Sequence, residues 1–360
     1  MSLPYLQPYL GLSNGLNTLH AAGAGGIGGW VELARTTLGG VADTISVSSL
    51  SDKRYYMVLT DAKDSGVVNT VIRINGDTGN NYSNRLSNNG AASDITSTSV
   101  NYLTHNVGTA DATDKFGVVY FANYSSKEKL GISHITGQGA AGAGTAPIRQ
   151  EAVFKWANTS NAINQFSLEN LGAGDYASGS EVVVLGYDPL DSHTNNYWEE
   201  LASVNASASS TSINTGTFTA KKYLWIQAYV NATGADMSVI GATVNSDVGS
   251  NYANRFSDNG GADSTITSNQ NLVILDGGSL AQNVGGFINM FVINNSANEK
   301  LFTGVGMKSN TAGAGNAPSR REFAQKWTNT SSQITSFQIN RVGGTGTFDT
   351  NSIIKVWGAD

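Results

Sequence analysis

Asn81-Tyr82-Ser83-Asn84-Arg85-Leu86-Ser87-Asn88-Asn89-Gly90 returns later in the chain as Asn251-Tyr252-Ala253-Asn254-Arg255-Phe256-Ser257-Asp258-Asn259-Gly260. The repeat distance of about 170 residues far exceeds the roughly 20–50 residues of a solenoid or propeller unit and suits a whole domain. Outward from this stretch the register holds. Trp30-Val31-Glu32-Leu33 answers Trp198-Glu199-Glu200-Leu201, and Lys53-Arg54-Tyr55 answers Lys221-Lys222-Tyr223. Glu128-Lys129-Leu130 answers Glu299-Lys300-Leu301, Gly142-Ala143-Gly144-Thr145-Ala146-Pro147 answers Gly313-Ala314-Gly315-Asn316-Ala317-Pro318, and Trp156-Ala157-Asn158-Thr159-Ser160 answers Trp327-Thr328-Asn329-Thr330-Ser331. The chain therefore divides into an N-terminal arm and Gly-rich tether (1–28), a first domain (29–190), a short polar linker and a duplicate domain (197–360).

Both copies read as strands. Tyr55-Tyr56-Met57-Val58-Leu59-Thr60, Phe116-Gly117-Val118-Val119-Tyr120-Phe121 and Glu181-Val182-Val183-Val184-Leu185 are short β-branched and aromatic runs bounded by Gly, Asn, Asp or Ser, and each recurs in the second copy. The charged segment Gln150 to Trp156 is decided by alternation. Arg149, Glu151, Val153 and Lys155 fall on one face, with Gln150, Ala152, Phe154 and Trp156 on the other. About ten strands per copy predict an all-β chain of two tandem jelly-roll-like antiparallel β-sandwiches, with little helix.

Composition narrows the function. Charged residues make up 13% of the 360-residue chain, against about 25% in a typical soluble domain. A formal net charge of −6 without a basic cluster argues against nucleic-acid and membrane partners. The absence of cysteine excludes disulfides, thiolate metal sites and cysteine catalysis. Residues 1–10 carry no basic region followed by an apolar one, so they do not read as a signal peptide. An extracellular-type composition without an export signal fits a component that leaves its host by lysis.

No pattern of catalysis emerges. His20, His105, His134 and His193 have no counterparts between copies and no ligand spacing, so they read as surface histidines. No nucleophile elbow or zincin motif is present, and a distant carboxylate pair for glycoside hydrolysis is supported by composition alone. Asp77 to Tyr82 and Asp247 to Tyr252 are dense in oxygen ligands, but Asp and Asn beside Gly are what tight turns require. No metal or cofactor is expected. Asn81, Tyr82, Arg85 and Gly90, with Asn251, Tyr252, Arg255 and Gly260, read as a structural motif in which Arg85 and Arg255 pair with Glu151 and Glu322 or clamp the loop through carbonyls. The Gly/Ala stretches 137–147 and 309–318 lack a P-loop ending and read as flexible loops or close-approach surfaces at a subunit contact. Tyr82, Tyr252 and Trp198 are candidates for stacking on sugar, with core packing the stronger reading.

Leu3, Tyr5, Leu6, Tyr9 and Leu10, followed by Leu12 and Leu16, form an apolar cluster costly to leave in water. The glycines at 23, 25, 26, 28 and 29 separate it from Trp30. That order describes either an assembly arm that docks onto a partner or a segment folded back on the first domain.

The paired Asn-Tyr-x-Asn-Arg-x-Ser-x-Asn-Gly stretches, the Glu-Lys-Leu triplets, the Gly-Ala-Gly-x-Ala-Pro segments and the terminal Gly-x-Asp resemble those of virion structural proteins of tailed, aquatic bacteriophages. The resemblance spans both domains. It implies a non-enzymatic capsid decoration, fibre or minor capsid component in the virion, contacting other virion proteins and commonly homo-oligomeric, with a trimer favoured. The alternative is a carbohydrate- or receptor-binding protein that grips a host-surface glycan with one sandwich face.

Overall fold

A computed structural model describes residues 29–106, 113–193, 195–275, 284–309 and 313–360. All regular elements among them are β-strands. The first copy contributes β1 (Val31–Thr37), β2 (Thr44–Val47), β3 (Tyr55–Ala62), β4 (Thr70–Ile74), β5 (Tyr82–Asn88), β6 (Ile95–Val100), β7 (Leu103–Thr104), β8 (Lys115–Ala122), β9 (Lys129–Gly137), β10 (Ile148–Trp156), β11 (Phe166–Asn170) and β12 (Glu181–Tyr187). The second contributes β13 (Glu199–Asn205), β14 (Ser212–Asn214), β15 (Tyr223–Thr233), β16 (Ile240–Val244), β17 (Tyr252–Asp258), β18 (Ser264–Asn269), β19 (Leu272–Leu275), β20 (Gly285–Ile293), β21 (Lys300–Lys308), β22 (Ser319–Trp327), β23 (Phe337–Arg341), β24 (Thr347–Phe348) and β25 (Ile353–Ala359).

In the first copy the strand orders are β1-β12-β3-β8-β9-β10-β5-β6 and β2-β11-β4-β7. Strands β1 to β4 alternate between the sheets and β11 and β12 return beside them, so β1-β12-β3-β8 faces β2-β11-β4-β7 as the two interleaved sheets of a jelly roll. The four strands beyond these eight form two inserted pairs. Strands β5 and β6 form one and β9 and β10 the other; β10 pairs with β5, which widens one sheet to eight strands. The second copy repeats the plan as β13-β25-β15-β20-β21-β22-β17-β18 and β14-β23-β16-β19, with β24 added beside β15. Among the described residues no strand of one copy pairs with a strand of the other.

Each sandwich has its own core. Ala152, Phe154 and Trp156 of β10 point into the first with Tyr82, Leu86 and Phe121, while Phe323 and Trp327 of β22 enter the second with Tyr252 and Phe256. The alternation that made 150–156 a strand therefore also gives its buried face.

A third apolar layer lies between the copies. The outer faces of the two wide sheets pack on each other, with Met57, Leu59, Phe116, Val118, Val183 and Leu185 against Trp198, Tyr223, Phe291, Ile293, Leu301 and Trp357. This explains why Val182-Val183-Val184-Leu185 shows no polar alternation: a strand covered on both faces needs none. The described residues of the linker bond within the same arrangement. His193 stacks on Tyr187 at 4.9 Å, Lys53 reaches Asp191 at 2.6 Å, and Tyr197 N–H donates to the Trp30 carbonyl.

Candidate functional site

The repeated Asn-Tyr-x-Asn-Arg stretch is a strand with a turn at each end rather than a loop. Asp77 accepts from Gly79 N–H, from the Asn81 amide and, at 2.8 Å, from Trp156 Nε1; Asp247 accepts the same set from Gly249, Asn251 and Trp327. These donors hold both carboxyls below the ordinary Asp pKa against the opposing effect of burial. The oxygens that make the segment resemble a cation site are thus engaged inside the turn. The Tyr82 hydroxyl accepts from Ile74 N–H and donates to the Asp77 carbonyl, and Tyr252 does the same with Val244 and Asp247.

Asn84 ties the wide sheet to the narrow one, donating to the Tyr102 carbonyl and accepting from Thr104 N–H; Asn254 bonds Asn271 and Val273 in the same way. Asn89 and Asn259 take left-handed backbone conformations ahead of Gly90 and Gly260, and their side chains accept the backbone N–H of Arg149 and Arg320. Lys129 and Lys300 lie over Trp156 and Trp327 and donate to the carbonyls of Asn158 and Asn329. In each copy the shared motifs join strands to one another.

The arginines depart from the sequence expectation. Arg85 does not pair with Glu151; it lies on the surface 3.3 Å from Asp94. Arg255 does not pair with Glu322 either, and instead crosses to the first copy, where its Nε donates to the Pro147 carbonyl at 2.6 Å. The physical reason is register. Arg85 stands opposite Val153 in the β5/β10 ladder, whereas Glu151 stands opposite Ser87. The guanidinium that meets the glutamates belongs to Arg149, which contacts Glu151 at 2.6 Å, Glu322 at 3.3 Å and Asp263 at 2.5 Å.

Arg149, Glu151 and Glu322 line a polar cleft of about 450 Å³ between the copies, bordered by the Asn-Gly turns at Gly90 and Gly260. Burial pushes the Glu151 carboxyl up to about 7, with Glu322 adding to the effect against Arg149. A carboxylate pair that hydrolyses a glycoside holds substrate and water between its members. Here Arg149 is bonded to both, so the cleft has the geometry of a clamp between domains. The Gly/Ala stretch of the first copy completes it: Lys326 donates to the Gln138 and Ala140 carbonyls, and Gly142 N–H donates to Glu299.

Other sequence expectations change in the structure. His105 is a core residue rather than a surface one, bonded to Thr60 at 3.0 Å and Ser133 at 3.2 Å, in space left by the missing side chain of Gly117. Burial pushes its imidazole down to about 3. His134 is pushed down for the same reason at the face between copies, and His193 is held in the linker. Tyr82, Tyr252 and Trp198 are buried, so none offers a stacking platform for sugar. His20 and the arm residues Leu3, Tyr5, Leu6, Tyr9 and Leu10 lie outside the described residues.

One feature had no signal in the copy-by-copy sequence reading. The outer face of the first wide sheet is only partly covered by the second copy, and the remainder forms an open apolar groove of about 680 Å³. Trp30, Tyr55, Tyr120, Leu130, Ile132 and Val153 line it, with Arg85 and Lys155 at its polar margin.

No protein-family model matches the chain, and no curated protein matches it. Among solved structures the chain is similar to domains LG4-5 of the mouse laminin alpha1 chain, at 9% identity, 91% coverage of this chain, 89% of that chain and a TM-score of 0.21. A second is Neisserial surface protein A, at 7% identity, 81% and 99% coverage and a TM-score of 0.11. At those scores neither bears on function. The chain itself is an all-β protein of two tandem antiparallel jelly-roll sandwiches.

Proposed function

We propose that the chain is a non-enzymatic structural component of a virion, in which residues 1–28 anchor the protein to other virion proteins and the paired jelly rolls form a rigid projecting body. The observation that carries this reading is the open groove on the first wide sheet, whose exposed Leu130, Ile132 and Val153 suit another polypeptide surface better than a polar substrate. The charged cleft supports it in a second way, because Arg149 of the first copy is engaged by Asp263 and Glu322 of the second. The motif resemblance supplies the virion context, and a homo-oligomer is the expected assembly.

The test is a chain beginning at Gly29. Its globular body should melt at the temperature of the full chain, because the described sandwiches are complete from β1 onward, and it should fail to join the particle. Incorporation equal to that of the full chain would remove the anchoring role. Loss of folding would assign residues 1–28 to the first domain's own core.

A further inference from the structure

The contact between the two copies joins non-equivalent surfaces. Strand pairing fixes the equivalences: Leu130, Ile132 and Val153 in the first copy correspond to Leu301, Thr303 and Ala324 in the second, and Asp61, Phe116 and Thr136 correspond to Tyr229, Phe287 and Met307. Exposure at these positions is exchanged between the copies. Leu301 is 1% exposed and its counterpart Leu130 is 56% exposed. Phe116 is 1% exposed and its counterpart Phe287 is 41% exposed. The second copy thus seats one end of its wide sheet on the opposite end of the first copy's sheet.

Among the described residues such a contact leaves one half of itself bare at each extremity. The first copy presents the seating face through Tyr55, Leu130, Ile132 and Val153. The second presents the receiving face through Tyr229, Phe287 and Met307, which stand side by side across β15, β20 and β21. The buried ion pair of the internal contact also has an exposed twin. Glu299 and Lys326 lie 3.3 Å apart and buried, while Glu128 and Lys155 lie 3.6 Å apart with both side chains more than two-fifths exposed.

We propose that a second copy of this chain docks head to tail, its second-copy face Tyr229–Phe287–Met307 receiving the groove face Tyr55–Leu130–Ile132–Val153. The contact continues the internal one, and it rests on the structural reading above. A heterologous contact of this kind closes into a ring when its rotation divides a full turn and otherwise extends as a filament. Both faces are apolar and solvent-facing, which supplies a hydrophobic driving force for association.

The test uses the full chain and two variants, Ile132→Asp and Phe287→Asp. Both positions are exposed in one chain, so unchanged melting at monomeric concentrations verifies folding. Mass photometry and sedimentation should show wild-type species that grow with concentration. Each variant alone should shift half-assembly by about tenfold or more. An equimolar mixture should give 1:1 dimers and nothing larger, because one intact face remains on each partner.

A wild type that stays monomeric, variants that assemble like wild type, or a mixture that yields no dimer would each overturn the proposal. Loss of assembly on removing residues 1–28, with Ile132→Asp disruptive and Phe287→Asp silent, would assign the groove to the arm. Particle anchoring is read separately by the chain beginning at Gly29, so stacking can fail while anchoring stands.

Discussion

Lys326 and Lys155 occupy the same register position in the two copies, and replacing each with Met should have very different consequences. Lys326 is buried, 3.3 Å from Glu299, and donates to the Gln138 carbonyl at 3.1 Å and the Ala140 carbonyl at 2.6 Å. Met retains most of the stem but removes the charge and leaves the Glu299 carboxylate without its cation. Breaking a buried pair in this way costs about 3–5 kcal/mol. Lys155 and Glu128 sit 3.6 Å apart in solvent, where a pair contributes about 0–1 kcal/mol and is screened by salt.

Denaturant unfolding at concentrations where the chain is monomeric should therefore show Lys155→Met close to wild type. Lys326→Met should be destabilised by several kcal/mol, with the second copy's transition separating from the first's. Adding Glu299→Gln to Lys326→Met should restore part of the loss by removing the orphaned charge. Equal effects of the two single substitutions, or less than about 1 kcal/mol for Lys326→Met, would refute the clamp.

Tyr82→Phe and Tyr252→Phe each leave a buried backbone N–H, of Ile74 or Val244, without its acceptor. Each should cost about 1–3 kcal/mol, and clearly unequal urea midpoints would contradict the equivalence of the two turns. Gly90→Ala should destabilise more than Gly260→Ala: both positions have positive φ, but the added carbon at 90 would lie 2.3 Å from Asp263 Oδ1. Thermal melting that ranks them the other way would count against the close approach of the copies. Burial raises Glu151 from 4.5 to about 7 and Asp114 from 3.8 to about 6, so their stabilisation is full below the unfolded values and falls as pH rises through those windows. His105 acts oppositely, its contribution complete above 6.5 and lost as pH falls toward 3. Glu151→Gln should flatten the loss of stability between about pH 5 and 7; an unchanged slope would remove Glu151 as its source.

The duplication and the strands of each sandwich were legible because they depend on local pattern. Alternation from Gln150 to Trp156 gives both the element and its inward face, and the Asn-Gly pairs mark turns that need positive φ. The partners of the arginines were not legible, since Arg85 and Arg255 hold matching places in sequence while only Arg255 lies near the other copy. His105 misled for a related reason: a buried imidazole needs Thr60, Ser133 and the space at Gly117, which come from three different strands. The contact between domains left one trace, the continuous apolar run Val182 to Leu185, whose meaning requires knowing that both sheet faces are covered.

Divergence of the copies at their shared face gives the internal contact its direction. Lys222 lies 3.2 Å from Asp61 and 2.9 Å from Glu181, and the Tyr223 hydroxyl donates to Glu181 at 2.8 Å. Asp61 and Glu181 stand opposite each other across β3 and β12; the corresponding pair across β15 and β25 is Tyr229 and Ile353. The receiving face of the first copy thus carries two acids that meet Lys222, besides Lys63 and Arg35 of their own copy, and that of the second copy carries none at those positions. Charge favours the pairing inside a chain, because Lys222 meets Asp61 and Glu181 there, whereas its counterpart Arg54 would have to keep its guanidinium in solvent beside Tyr229 and Ile353 in a contact between chains. A contact between chains would be the apolar counterpart of the internal one, with weaker discrimination of register and less sensitivity to salt. On this account the duplicated fold holds a fixed joint within the molecule and a reversible one between molecules.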